Sequence, residues 1–65
     1  MDEFQIIKAK SIGNFGEYIL LCYIPGNVTP WVTWRSNSID GKDRYWGHYF
    51  YEGQEELARQ DFEDR

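Results

Sequence analysis

The chain has one cysteine, one histidine, one methionine and two prolines among its 65 residues. A single cysteine cannot close an internal disulfide, so the support that many small secreted folds depend on is missing. One cysteine and one histidine cannot make a four-ligand structural zinc site, and no metal or other cofactor is expected. The longest apolar run, Tyr18-Ile19-Leu20-Leu21-Cys22-Tyr23-Ile24, falls far short of the ~20 residues that span a bilayer. Met1-Asp2-Glu3 carries no secretory n-region. A cytoplasmic protein away from membranes is therefore expected. At this length there is room for one domain, and so short a chain buries only about 60% of its unfolded surface.

Against these scarcities stand twelve aromatic residues: three Trp, five Tyr and four Phe. The net charge of −4 is just as uneven. Five acidic and five basic residues cancel over residues 1–51. Residues 52–65 hold Glu52, Glu55, Glu56, Asp61, Glu63 and Asp64 against only Arg59 and Arg65. The whole net charge thus belongs to the C-terminal segment, and overall acidity disfavours non-specific nucleic-acid binding.

Hydrophobic alternation and punctuation predict strands over about 4–12, 17–24, 31–39 and 42–51, and a helix over about 54–63. Gly13-Asn14-Phe15-Gly16 reads as a turn, and Pro25 to Pro30 as a loop. Asn27-Val28-Thr29 matches the glycosylation sequon, read as a chance match because no secretory leader is expected. Asp40-Gly41 is a hairpin signal, because both central residues of a type I′ turn need positive φ. That turn pairs Val32 with Tyr49, Trp34 with Gly47 and Arg35 with Trp46; a one-residue bulge would swap the faces. Opposite Gly47, Trp34 can lie across the bare backbone. Short connections favour sequential neighbours, so the expected α+β architecture is a four-stranded antiparallel meander with one C-terminal helix on one face, ββββα.

Alternation through the second hairpin separates two sets of side chains. Val32, Trp34, Ser36, Tyr45, Gly47, Tyr49 and Tyr51 are uncharged. They are expected beneath Leu57, Ala58 and Phe62 of the helix, joined by Ile7, Ala9, Leu20 and Cys22. The opposite set presents Trp31, Thr33, Arg35, Asn37, Lys42, Arg44, Trp46, His48 and Phe50, with Ile6, Lys8, Lys10, Glu17, Ile19 and Leu21. Its aromatic and basic members, Trp31, Arg35, Arg44, Trp46, His48 and Phe50, form the candidate binding face, with a cation–π pair between Arg35 and Trp46. Three readings fit such a face. It is a second small core closed by a loop or a terminus, an interface for a protein partner or a second copy, or a platform on which single-stranded bases stack. The acidic helix adds a further one, a nucleic-acid mimic of the phage or mobile-element inhibitor type.

Signals for catalysis are sparse. His48 has no Ser or Cys at a recognisable spacing, Cys22 sits in the most apolar run, and Gly13–Gly16 lacks the ending of a phosphate loop. Asp40-Gly41-Lys42-Asp43 lacks the spacing of a calcium loop. Asp61 interrupts the apolar stripe of the helix. It is either a boundary residue pairing with Arg65 or a carboxylate accepting a hydrogen bond from a Tyr hydroxyl or Trp indole of the sheet. The expectation is a small non-enzymatic protein that binds a protein partner or itself.

Overall fold

The computed structural model describes residues 3–65. Four strands, β1 (Gln5–Ile12), β2 (Glu17–Tyr23), β3 (Trp31–Ser36) and β4 (Arg44–Phe50), are followed by a 3₁₀ turn (Glu52–Gln54) and helix α1 (Glu55–Asp64). The strands form one antiparallel sheet in the order β1-β2-β3-β4, and α1 packs on one side of it. This is the ββββα arrangement the sequence predicts.

The first hairpin closes as expected. Ile12 pairs with Glu17 and Ala9 with Leu20 around a four-residue turn, whose glycines adopt φ of 67° and 75°. That register puts Lys8 and Lys10 on the side of Ile19 and Leu21. A bulge between Ile6 and Lys8 then brings Ile6 opposite Cys22, the reverse of the face expected for it.

The second hairpin departs from expectation in two places. Its ladder ends at Ser36 and Arg44, and residues 37–43 form a loop rather than a two-residue turn. Side chains compete with the ladder for backbone donors there. Ser38 Oγ accepts from the Asp43 N–H (3.2 Å), Asp40 Oδ1 from the Lys42 N–H (3.0 Å), and Ser36 Oγ from the Ser38 N–H (3.1 Å). The expected pairing of Val32 with Tyr49 holds, but a bulge follows Thr33, so Arg35 faces Tyr45 instead of Trp46. Trp46 is the extra residue and has a φ of 52°. The swap moves Tyr45 to the Arg35 side and Arg44 to the Trp34 side.

The helix covers the opposite face from the one expected. Ala58 and Phe62 pack with Ile19, Leu21 and Trp31, flanked by Ile12, Tyr23 and Phe50. The expectation assumed that a helix seeks the uncharged set. The docking surface of α1 is itself mixed, and its polar groups meet the polar groups of this face. Lys8 lies 3.5 Å from Glu63, and the Lys10 ammonium donates to the Glu63 carbonyl (3.0 Å) and sits 5.0 Å from the Phe62 ring centre. Leu57, expected in the interface, is exposed.

Leu20, Cys22, Val32 and Trp34 form a second core on the other face. Phe4 packs edge-on against Trp34 at 5.2 Å, and Gly41 folds over Phe4 and Leu20 closely enough that a Cβ there would lie 3.1 Å from Phe4. The Arg44 guanidinium lies 4.6 Å from the ring centres of both Phe4 and Trp34. The uncharged set is thus closed at one end by the N-terminal segment and loop 37–43. Tyr49 and Tyr51, expected in the core, are more than half exposed.

Candidate binding cleft

The six predicted face residues do not form one surface. Trp31 is buried beneath α1, edge-on to Tyr23 at 4.9 Å and 5.7 Å from the Arg59 guanidinium. Phe50 packs against the same core. His48 also lies on the helix side, its Nδ1 2.9 Å from Asp61 Oδ2. Arg35 donates to Glu17 Oε1 (3.1 Å) and approaches the Trp46 ring at 5.9 Å, so the expected cation–π pair forms despite the altered register. Arg44 lies across the sheet with Phe4 and Trp34. Only Trp46 of the three expected open aromatics is strongly exposed, at 69%.

On the helix side the polar groups knit α1 to the sheet. Thr33 Oγ1 donates to Asp61 Oδ2 (2.5 Å), and Arg65 donates to the Thr33 carbonyl (3.0 Å) and hydroxyl (3.2 Å). Asp61 is therefore the carboxylate that accepts from the sheet, with Thr33 and His48 as partners in place of a Tyr or Trp. Burial raises its proton affinity. The hydrogen bonds from Thr33 and His48, with the charges of His48 and Arg65, outweigh that and hold it below the ordinary aspartate value. Thr33 directs its proton at Asp61 rather than at the imidazole, so this cluster lacks the nucleophile-to-base contact of a hydrolytic triad.

A second carboxylate ties the sheet to itself. Glu17 accepts from Arg35 and from the Tyr45 hydroxyl (2.9 Å), and those two bonds lower its pKa. The tyrosine pKa rises, chiefly by burial and then by the adjacent carboxylate. Burial pushes the Cys22 thiol up to about 12, leaving it a small apolar core group. Among the described residues no cluster of three or more His, Cys, Asp or Glu side chains has metal-binding geometry. No helix among them is long and apolar enough to cross a membrane.

A concavity opens on the helix-free face. It has a volume of about 510 Å³, and its lining includes Phe4, Trp34, Lys42, Arg44, Trp46, Gly47 and Tyr49. Its floor follows from a feature visible in the sequence, since Trp34 lies over Gly47 as expected. A Cβ on Gly47 would come within 2.6 Å of Trp34 Nε1 and 2.9 Å of Tyr49 Cε1. Tyr49 stands edge-on to Trp34 at 6.2 Å. At the rim, Trp46 is braced by Arg35 and by Tyr45, whose ring centre is 5.2 Å away.

Phe4, Trp34, Lys42 and Tyr49 complete a site that the candidate face lacked. The unbroken hairpin register placed Lys42 across the sheet from Trp34 and Tyr49, and Phe4 belongs to a distant segment. The one usable signal was Gly47 opposite Trp34. No protein family, curated protein or solved structure matches this chain.

Proposed function

We propose that this chain is a non-enzymatic binding protein that recognises a protein partner through the cleft on the helix-free face of its sheet. The observation that carries this reading is Trp46. It is a bulky residue held at a φ of 52°, a conformation that L side chains with large Cβ substituents rarely adopt and that costs about 1–3 kcal/mol. That conformation does not bury the ring, which remains 69% exposed at the mouth of a concave surface. Bulges re-aim side chains at functional sites, and exposed Trp and Tyr are the residues around which binding energy concentrates.

The alternatives have less support. The single-stranded nucleic-acid reading needed Arg35 and Arg44 together in one basic groove, but the bulge places them on different faces and each has an internal role. Carboxylates of the acidic helix are partly neutralised, Glu55 by Arg59 (2.8 Å) and Glu63 by Lys8, which weakens the nucleic-acid-mimic reading.

The experiment is a selection of random displayed peptides on the wild-type chain, with counter-selection on Trp46→Ala and Tyr49→Ala. Peptides that bind the wild type and are lost on both variants support the proposal. Enrichment indifferent to both substitutions, or none at all, refutes it.

A further inference from the structure

The cleft combines two chemistries. Its lining includes the exposed rings of Trp46 and Tyr49 together with Trp34. It also includes Lys42 and Arg44. The Arg44 guanidinium is fixed, stacked against Phe4 and Trp34 while Nη1 donates to the Gly41 carbonyl (3.0 Å). Lys42 is anchored differently. Its backbone N–H is held by the Asp40 carboxylate (3.0 Å), and its charge also favours the ionised form of that carboxylate, while its ammonium forms no salt bridge with another described residue. The acidic helix lies on the opposite side of the sheet with Lys8, Lys10 and Arg35, whereas Lys42 and Arg44 are the cations among the residues that line the cleft, with Glu3 as its carboxylate.

We infer that the cleft binds a short partner segment in which a carboxylate side chain neighbours an aromatic or large aliphatic one. This rests on the protein-partner reading above and adds the chemistry of the partner. The carboxylate meets Lys42 beside the fixed charge of Arg44, and the apolar side chain lies between Trp46 and Tyr49. A discrete carboxylate fits better than a polyanion. Two cations neutralise only about two phosphates, which supplies little of the counterion release that drives nucleic-acid binding. Glu3 also lines the cleft and repels a continuous run of negative charge.

The test begins with peptides recovered by display on the wild-type chain. Each is synthesised in two forms, as selected and with its Asp and Glu replaced by Asn and Gln, and titrated by tryptophan fluorescence. The expected peptides carry an acidic residue within two positions of an aromatic or large aliphatic one. The amide forms and Lys42→Ala should each weaken binding by roughly threefold, the scale of an exposed ion pair, and Lys42→Glu by about tenfold. Lys42→Glu should also bind a Lys-substituted peptide better than the wild type does. Trp46→Ala and Tyr49→Ala should abolish binding, with circular dichroism confirming that each variant is folded.

Peptides that need Trp46 and Tyr49 but bind equally well as amides overturn the carboxylate assignment and leave the binding-protein reading intact. A selection without Trp46-dependent peptides overturns both. Tighter binding of oligothymidylate than of any selected peptide assigns the cleft to nucleic acid. A concentration-dependent dimer in sedimentation that Trp46→Ala dissolves assigns it to a second copy, and either result refutes the inference.

Discussion

Replacing Asp61 by alanine is the sharpest test of how the helix is held to the sheet. Asp61 accepts from Thr33 at 2.5 Å and from His48 at 2.9 Å, and its side chain is 25% exposed. The Thr33 bond is the larger contribution. Thr33 is fully buried, and a buried hydroxyl stripped of its acceptor costs about 1–3 kcal/mol. His48 is half exposed, so water takes over much of its interaction and its share is at most about 1 kcal/mol. Asp61→Ala should therefore lower stability by about 1–4 kcal/mol. That is a large part of the ~3–10 kcal/mol expected of a chain this size. Urea unfolding at pH 7, followed by far-ultraviolet circular dichroism, measures the loss. His48→Ala should lose less than about 1 kcal/mol, and a Thr33→Val/Asp61→Ala cycle should show coupling above about 1 kcal/mol. The pH dependence follows from the same geometry. Because the folded pKa of Asp61 is depressed, its contribution is present above the unfolded aspartate pKa and disappears as pH falls through the folded value. The wild type should lose stability over that acid range, and Asp61→Asn should lose less there. Coupling near zero, or Asp61→Ala costing no more than His48→Ala, would refute the argument that the buried Thr33 bond anchors the helix.

Gly47→Ala should destabilise by about 1–3 kcal/mol, because the new methyl group forces Trp34 off the strand; a shifted tryptophan emission maximum in the folded state should accompany the loss. Trp46→Asn should leave stability within about 1 kcal/mol of wild type, since asparagine tolerates left-handed backbone and relief of strain offsets the lost stacking on Arg35. The same variant should lose peptide binding, which thermal melts and titration together would reveal. Cys22, fully buried and with its thiol pKa pushed up to about 12, should resist a thiol reagent at pH 8 until the protein unfolds. Its labelling rate should then track global unfolding measured in urea.

The four strands, their meander order, the first turn and the C-terminal helix are all legible in the chain. Each depends on local properties: alternation of side chains, glycines where φ must be positive, and carboxylates in the first turn of a helix. Trp34 over Gly47 was also legible, because a bare backbone opposite a large ring is a pairwise matter within one hairpin. The close of the second hairpin was not. Asp40-Gly41 favours a tight turn by itself, but Ser36, Ser38 and Asp40 side chains capture the backbone donors. Gly41 is instead used for its close approach to Phe4 and Leu20.

By itself the sequence determined which segments extend, which one coils, and that the net charge of −4 resides in the last fourteen residues. Tertiary structure decided the two questions on which function turns. One bulge at Trp46 reversed the faces of Arg44 and Tyr45, because side chains alternate with a period of two and a single extra residue flips everything beyond it. The helix then chose its side by the match between its own mixed surface and the sheet, with Asp61 and Glu63 meeting Thr33, His48 and Lys8. That choice buried Trp31 and left Trp46 and Tyr49 framing a cleft on the other face. A period-two pattern specifies two faces equally well, and only the partner that packs against one of them distinguishes the core from the surface left open.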